Sequence, residues 1–227
     1  MKHSFRPDAG NITLVRNALI EWFDKEGRSF PWRETTDPYR VLIAEMLLRR
    51  TTAAAVSRVY PKFIKQFDNL TKLSKAREST IKRHLSTLGL QSIRAKHIHE
   101  TARYLSKERA GSVPDSLLEL ESLPGVGRYV GAAVLSYAFG QPEPMVDGNV
   151  VHLVNRVFGS NFKGATDSRA WEFMKRFGGK KQDKRLYWGI IDLVATTCLR
   201  RSPRCGQCPL NNLCEYHRRN VKEDATT

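Results

Sequence analysis

The sequence predicts an all-α protein, and three observations carry that prediction. Apolar residues recur at helical spacing through almost every segment. No alternating strand pattern of useful length occurs, and no repeat at a solenoid period. The helical stretches are broken by turn formers such as Gly89, Gly111, Pro114 and Pro124. At 227 residues, 41% of them hydrophobic, the chain can bury a good core in one or two domains.

In chain order, Leu14, Ala18, Leu19, Trp22 and Phe23 form one apolar stripe, which predicts a helix from Asn11 to about Phe23 with Asn11 as N-cap. The turn-rich GRSFPWRETTDPY, Gly27 to Tyr39, links it to the next unit. Helices follow at Val41–Arg50, Thr52–Phe67, Ser79–Leu88, Ser92–Ala110 and Asp115–Leu123. Pro124 stops the last of these, because proline cannot continue the hydrogen-bond ladder and restrains Leu123 as well. Gly125 and Gly127 are expected to take dihedrals closed to other residues and to admit another backbone. A second helix runs to Phe139 on the spacing of Val130, Ala133, Val134 and Tyr137. Its first N–H groups have no partner within the chain, which suits a phosphate oxygen. The stretch Leu123-Pro124-Gly125-Val126-Gly127-Arg128 therefore reads as a helical hairpin that grips a phosphate, although many plain hairpins also carry Gly and Pro in the turn. Asp147 caps a helix over Gly148–Phe158, and two more helices lie near Ser168–Phe177 and Arg185–Thr197. Residues from about His217 are polar and charged, and a disordered tail is expected over 217–227.

Net charge is +15, from 38 Lys+Arg against 23 Asp+Glu. That excess favours a polyanion through counterion release, and nucleic acid is the first partner it suggests. A membrane partner is not expected, since there is no basic amphipathic face, no lipid signal and no apolar run of roughly 18 residues. The opening MKHSFRPDAGN lacks the apolar core of a secretory signal, which places the protein in the cytoplasm, or in the nucleus of a eukaryote.

The four cysteines, Cys198, Cys205, Cys208 and Cys214, follow C-x6-C-x2-C-x5-C. Two disulfides suit a secreted domain, which the absence of an export signal disfavours. Zinc usually takes two short C-x2–4-C pairs, and only one is present. Four thiolates from one compact loop also ligate a [4Fe–4S] cube. The spacing favours a metal site, and iron–sulfur over zinc. Arg200, Arg201 and Arg204 offset the cluster's negative charge or face DNA.

Taken together, LPGVGR, the aspartate in MVDGNV and the cysteine pattern, in that order, resemble the endonuclease III-like superfamily of DNA glycosylases. The resemblance covers about Phe30 to Cys214. It implies a six-helix domain bearing the hairpin (31–140), a [4Fe–4S] cluster domain built from both chain ends (1–30 plus 141–216), and a catalytic groove between them. The partner it implies is double-stranded DNA containing a mispair, bound by a monomer. In bifunctional members a lysine after LPGVGR attacks the sugar. Here Tyr129 stands there, and Arg128 cannot substitute because guanidinium stays protonated. Schiff-base lyase chemistry is therefore not expected. Adenine glycosylases also lack that lysine and carry a further C-terminal domain, whereas this chain stops shortly after the cluster. Tyr129, FPWR (Phe30 to Arg33) and LLRRTT (Leu47 to Thr52) look most like the archaeal-type mismatch thymine glycosylases, often called Mig, which remove thymine or uracil opposite guanine. The rival readings are an adenine glycosylase without its recognition domain and a non-catalytic DNA-binding protein.

Breaking an N-glycosidic bond builds positive charge on the sugar. By family match, Asp147 is the anion that stabilises it and orients water, and the helix donors of its N-cap are expected to favour the ionised form. Glu45 lies among apolar residues on every helical face, where burial would raise its pKa and keep a proton for the departing base. Its ordinary alternative is an i,i+4 pair with Arg49. The resemblance further implies that Tyr129 stacks on or borders the extruded pyrimidine, where its ordinary alternative is a core aromatic. It implies that Gly125, Val126, Gly127 and Arg128 hold the DNA backbone, that Arg49 and Arg50 enter the gap or hold the orphan guanine, with plain surface charge as their alternative, and that Leu90 wedges the stack.

Overall fold

A computed structural model describes residues 7–224, among which there are twelve α-helices and no strand. The chain divides into two compact units, Met1–Arg28 with Pro142–Thr227, and Ser29–Gln141. The first unit opens with α1 (Ala9–Glu26). The second contains α2 (Pro38–Leu48), α3 (Ala53–Gln66), α4 (Leu70–Lys75), α5 (Glu78–His84), α6 (Gln91–Glu108), α7 (Leu117–Glu121) and α8 (Arg128–Ala138). The chain then returns to the first unit with α9 (Gly148–Phe158), α10 (Ser168–Gly178), α11 (Lys184–Thr196) and α12 (Glu215–Asp224). Among the described residues no helix is long and apolar enough to cross a membrane.

The second unit is built on α2. Asp37 caps it through the Arg40 N–H, Pro38 presets its first turn, and every residue from Val41 to Leu47 is buried. A helix apolar all round must be covered all round, and α3, α6 and α8 pack on it. The long α6 is held from another side by α4 and α5. The sequence reading missed α4, because six residues are too few to show a helical period. Its stability comes from tertiary contact: Leu70 and Leu73 are buried, each worth about 1.5–3 kcal/mol. The His99 ring nitrogen Nε2 also bonds the Ser74 carbonyl at 3.1 Å.

In the first unit α11 buries Leu186, Tyr187, Ile190 and Leu193 and lies against α1 and α9. Gly189 lets α1 come close, since a Cβ there would sit 3.1 Å from the Leu19 carbonyl. The rings of Phe173 and Phe177 on α10 meet Phe158 at centroid distances of 5.2 and 5.5 Å. Asp192 is fully buried and satisfied by Arg28, which donates its backbone N–H (2.8 Å), Nε (3.0 Å) and Nη2 (2.7 Å).

Three local readings change. The N-cap of α1 is Asp8 rather than Asn11, since the Asp8 carboxylate accepts from the N–H groups of Gly10 and Asn11. The helices read as Ser79–Leu88 and Asp115–Leu123 are shorter, because the chain turns after His84 and after Glu121. Residues 217–224 belong to α12 instead of a disordered tail. At helical spacing, Arg218 and Arg219 both pair with Glu215, and Arg156 lies 4.5 Å over the Tyr216 ring. Residues 225–227 lie outside the described residues.

Candidate functional site

The hairpin belongs to the second unit. Leu123 to Val126 form a turn closed by Val126 N–H to the Leu123 carbonyl at 3.0 Å, with proline second and Gly125 third at φ +76°. These are the residues a type II turn demands. Thr101 of α6 donates to the Pro124 carbonyl at 3.0 Å. A Cβ on Gly125 would meet His97 Cβ at 2.8 Å and Arg49 Nη1 at 2.9 Å, so this glycine is required by both its conformation and its neighbours. Gly127 differs from expectation: its φ of −103° is open to any residue, and nothing lies within 4 Å of a Cβ there. It leaves clear space before the first turn of α8, which has no side-chain cap. A helix that starts at a glycine, with no side chain at its N-cap, suits an anion at that end. Val126 is buried beneath the turn, while Arg128 is exposed.

Glu45 is 5% exposed within α2, and Tyr129 is half-buried in the first turn of α8, the helix that packs on α2. Arg49 and Arg50 follow the end of α2 and are exposed, with Arg50 in the left-handed region at φ 50°. Leu90 precedes α6, also left-handed at φ 48°, and is 54% exposed.

Asp147 belongs to the first unit. Its Oδ1 accepts the N–H groups of Asn149 (2.9 Å) and Val150 (2.8 Å), and its Oδ2 accepts the Asn149 side-chain amide (2.9 Å). Burial pushes the carboxyl above its ordinary range, outweighing the opposing pull of those donors and of the Arg200 guanidinium. The helix donors favour the ionised form, as the sequence predicts, but burial outweighs them. A carboxylate held this way is a stronger base than a free one.

All four cysteines lie in the first unit, carry no disulfide, and line one cavity with Leu153, Val157 and Tyr216. Burial raises the thiols of Cys198, Cys208 (to about 11) and Cys214, so ligation must displace their protons. Among the described residues no group of three or more His, Cys, Asp or Glu gathers tightly enough for a single metal ion. Four thiols spaced round a shared cavity fit a cube whose four irons each take one thiolate.

Of the supports of this site, the sequence singles out Arg200 but not His152 or Arg156. His152 and Arg156, on the helix that Asp147 caps, bond the carbonyls of Cys198 (3.0 Å) and Leu199 (2.7 Å), and Arg200 Nη2 donates to the Gly148 carbonyl at 3.1 Å. Arg94 is 6% exposed and was passed over as well, though an arginine one residue before Ala95 and four before Ile98 sits on the apolar stripe of α6 and is a legible signal.

Residues 43–178 match the HhH-GPD superfamily base excision DNA repair protein family, and residues 198–214 match the iron-sulfur binding domain of endonuclease III. The chain is 38% identical to the thymine-DNA glycosylase of Aeropyrum pernix, over 92% of this chain and 97% of that one. It is 37% identical to the thymine/uracil-DNA glycosylase of Methanothermobacter thermautotrophicus, over 88% and 92%. A solved thermostable thymine-DNA glycosylase superposes with a TM-score of 0.87 at 33% identity, covering 93% of this chain and 100% of that one. Adenine DNA glycosylases also match, at 30% to 31% identity.

Proposed function

Since this chain belongs to the HhH-GPD superfamily of base excision DNA repair proteins, we propose that it is a monofunctional glycosylase removing thymine or uracil mispaired with guanine. It is a DNA glycosylase whose Cys198, Cys205, Cys208 and Cys214 hold a [4Fe–4S] cluster. The observation that carries the finer reading is Asp147: a carboxylate fixed by three donors, with burial raising its basicity.

The C1′–N bond of the flipped nucleotide breaks with its electron pair leaving on the base, and positive charge develops on the sugar. Ionised Asp147 stabilises that charge and takes a proton from the water whose oxygen bonds C1′. Glu45 supplies the proton for the departing base, and Tyr129 borders the pyrimidine. With tyrosine in the position of the lyase lysine, no amine attacks the sugar, so the strand stays intact until alkali is added. The hairpin, through Gly125 to Arg128, holds the backbone of the lesion strand. Arg49, Arg50 and Leu90 meet the opposite strand and the gap. The cluster when bound ties residues 198–214 into one structural piece. The enzyme works as a DNA-associated monomer in the cytoplasm, or in the nucleus if the source is eukaryotic.

The test is single-turnover cleavage of labelled duplexes carrying T:G, U:G, A:G or A:8-oxoguanine, each with and without alkali. Breaks at T:G and U:G only after alkali support the reading. Breaks without alkali overturn the monofunctional assignment, and release from the adenine duplexes alone makes this an adenine glycosylase.

A further inference from the structure

We infer that Arg94 is a positioning residue that locks the turn carrying Arg49 and Arg50 to the turn carrying Leu90, and thereby sets how strictly guanine is required opposite the excised base. The inference rests on the reading above that these two turns meet the opposite strand.

The geometry is that of a clamp. Arg94 Nη1 donates to the carbonyls of Met46 (2.8 Å) and Leu47 (3.0 Å), and Nη2 donates to the carbonyl of Arg49 (2.8 Å). These are the last acceptors of α2, which an ordinary helix leaves to a glycine cap or to water. Arg94 lies in the first turn of α6, where its backbone N–H makes the ordinary helical bond to the Leu90 carbonyl at 3.0 Å, so its side chain ties the end of α2 to the turn that follows Leu90. One residue therefore joins the end of α2 to the start of α6.

What the clamp holds is strained and outward-facing. Arg50 (φ 50°) and Leu90 (φ 48°) are non-glycine residues in the left-handed region, a conformation that persists only where its surroundings impose it. Both side chains are exposed, and Ile93 beside them is 52% exposed, so the apolar tip is offered to solvent instead of the core. Arg49 is held from a second side, its guanidinium lying against Gly125 of the hairpin. Closing α2 would need far less than this. The cost is visible at Arg94 Nε, which is buried with no hydrogen-bond partner. A lysine at this place keeps the charge but cannot present a planar fork to three carbonyls.

The test is Arg94→Lys, read as the ratio of single-turnover rates on U:G and U:A duplexes, with the visible cluster absorption and thermal unfolding followed in parallel. The expected result is a folded, cluster-bearing variant whose U:G preference falls about tenfold, while Leu90→Ala or Arg50→Ala lowers the ratio in the parent but adds little in the Arg94→Lys background. An unchanged ratio in a folded variant, or fully additive effects, overturns the role of Arg94 alone. A parent ratio near one overturns it together with the guanine-opposed reading. Should the lysine variant not fold, amide exchange on the parent decides. Residues 49–51 and 90–92 opening as one unit supports the clamp, and independent opening of the two turns overturns it.

Discussion

Asp147 stands between two demands that pull against each other. As the N-cap of α9 it contributes to the fold, and as a buried carboxyl it strains it. Its folded pKa lies above the ordinary carboxylate value, so the folded state binds more protons than the unfolded state between those two values, and stability falls as pH rises through that window. Asn is an equally good N-cap and carries no charge. Asp147→Asn is therefore expected to unfold at the same temperature as the parent or higher at neutral pH, with the difference closing in acid. Base release should slow by about 10²- to 10⁴-fold, the usual worth of a positioned acid–base group, while duplex binding persists. In the parent, the single-turnover rate should fall on acidification with a midpoint above the ordinary carboxylate range. A large loss of melting temperature, or base release that survives the substitution, would sink the assignment. The N-cap role of Asp147 and the cluster cysteines were legible in the sequence because short spacings fix both. For Arg94 the sequence offers only its place on the apolar stripe of α6, since an arginine is by default a surface residue and its three acceptors lie 45 to 48 positions away.

Among the elements, the hairpin separates folding from binding within three residues. Gly125 has a positive φ and two close neighbours, so Gly125→Ala should destabilise the protein by about 1–3 kcal/mol, read as a lower denaturation midpoint. Gly127 has an ordinary φ and open space before it, so Gly127→Ala should change stability by less than about 0.5 kcal/mol. If the proposed phosphate contact is made at the first turn of α8, the new methyl would stand in its way. Losing one N–H to phosphate bond costs about 1.5–3 kcal/mol, tenfold or more in Kd. Undisturbed duplex binding by Gly127→Ala would remove the phosphate from this turn. The same contrast explains what could be read in advance. Long periodic helices such as α6 and α9 announce themselves, and LPGVGR announces its turn. The six-residue α4 and the charged α12 do not, because their order comes from Leu70 and Leu73 packing on partners distant in sequence, and from Arg218, Arg219 and Arg156 finding Glu215 and Tyr216.

At the scale of the molecule, one unit is assembled from the two ends of the chain, and its parts do not depend equally on the cluster. The packing of α1, α10 and α11 rests on apolar side chains: Val15, Leu19, Phe177, Leu186, Ile190 and Leu193 are fully buried and none lies in 198–214. Residues 198–214 have little such support. Of that stretch only Leu210 and Cys214 are buried, and its two short turns are single 3-10 turns. Its order must come from thiolate ligation and from the bonds that His152 and Arg156 of α9 make to Cys198, Leu199 and Arg200. Removing iron by chelation, or replacing Cys208 with serine, is then expected to act locally. Visible absorption should disappear, and amide protection should collapse across 198–220 while α1 and α11 keep theirs. The first turn of α9 should loosen next, because Arg200 no longer steadies the Gly148 carbonyl beside Asp147, and base release should fall with it. Hydrogen exchange followed by mass spectrometry distinguishes this from the alternative. Uniform loss of protection through α1 and α11 would mean that the cluster, and not the apolar packing, holds the whole unit together.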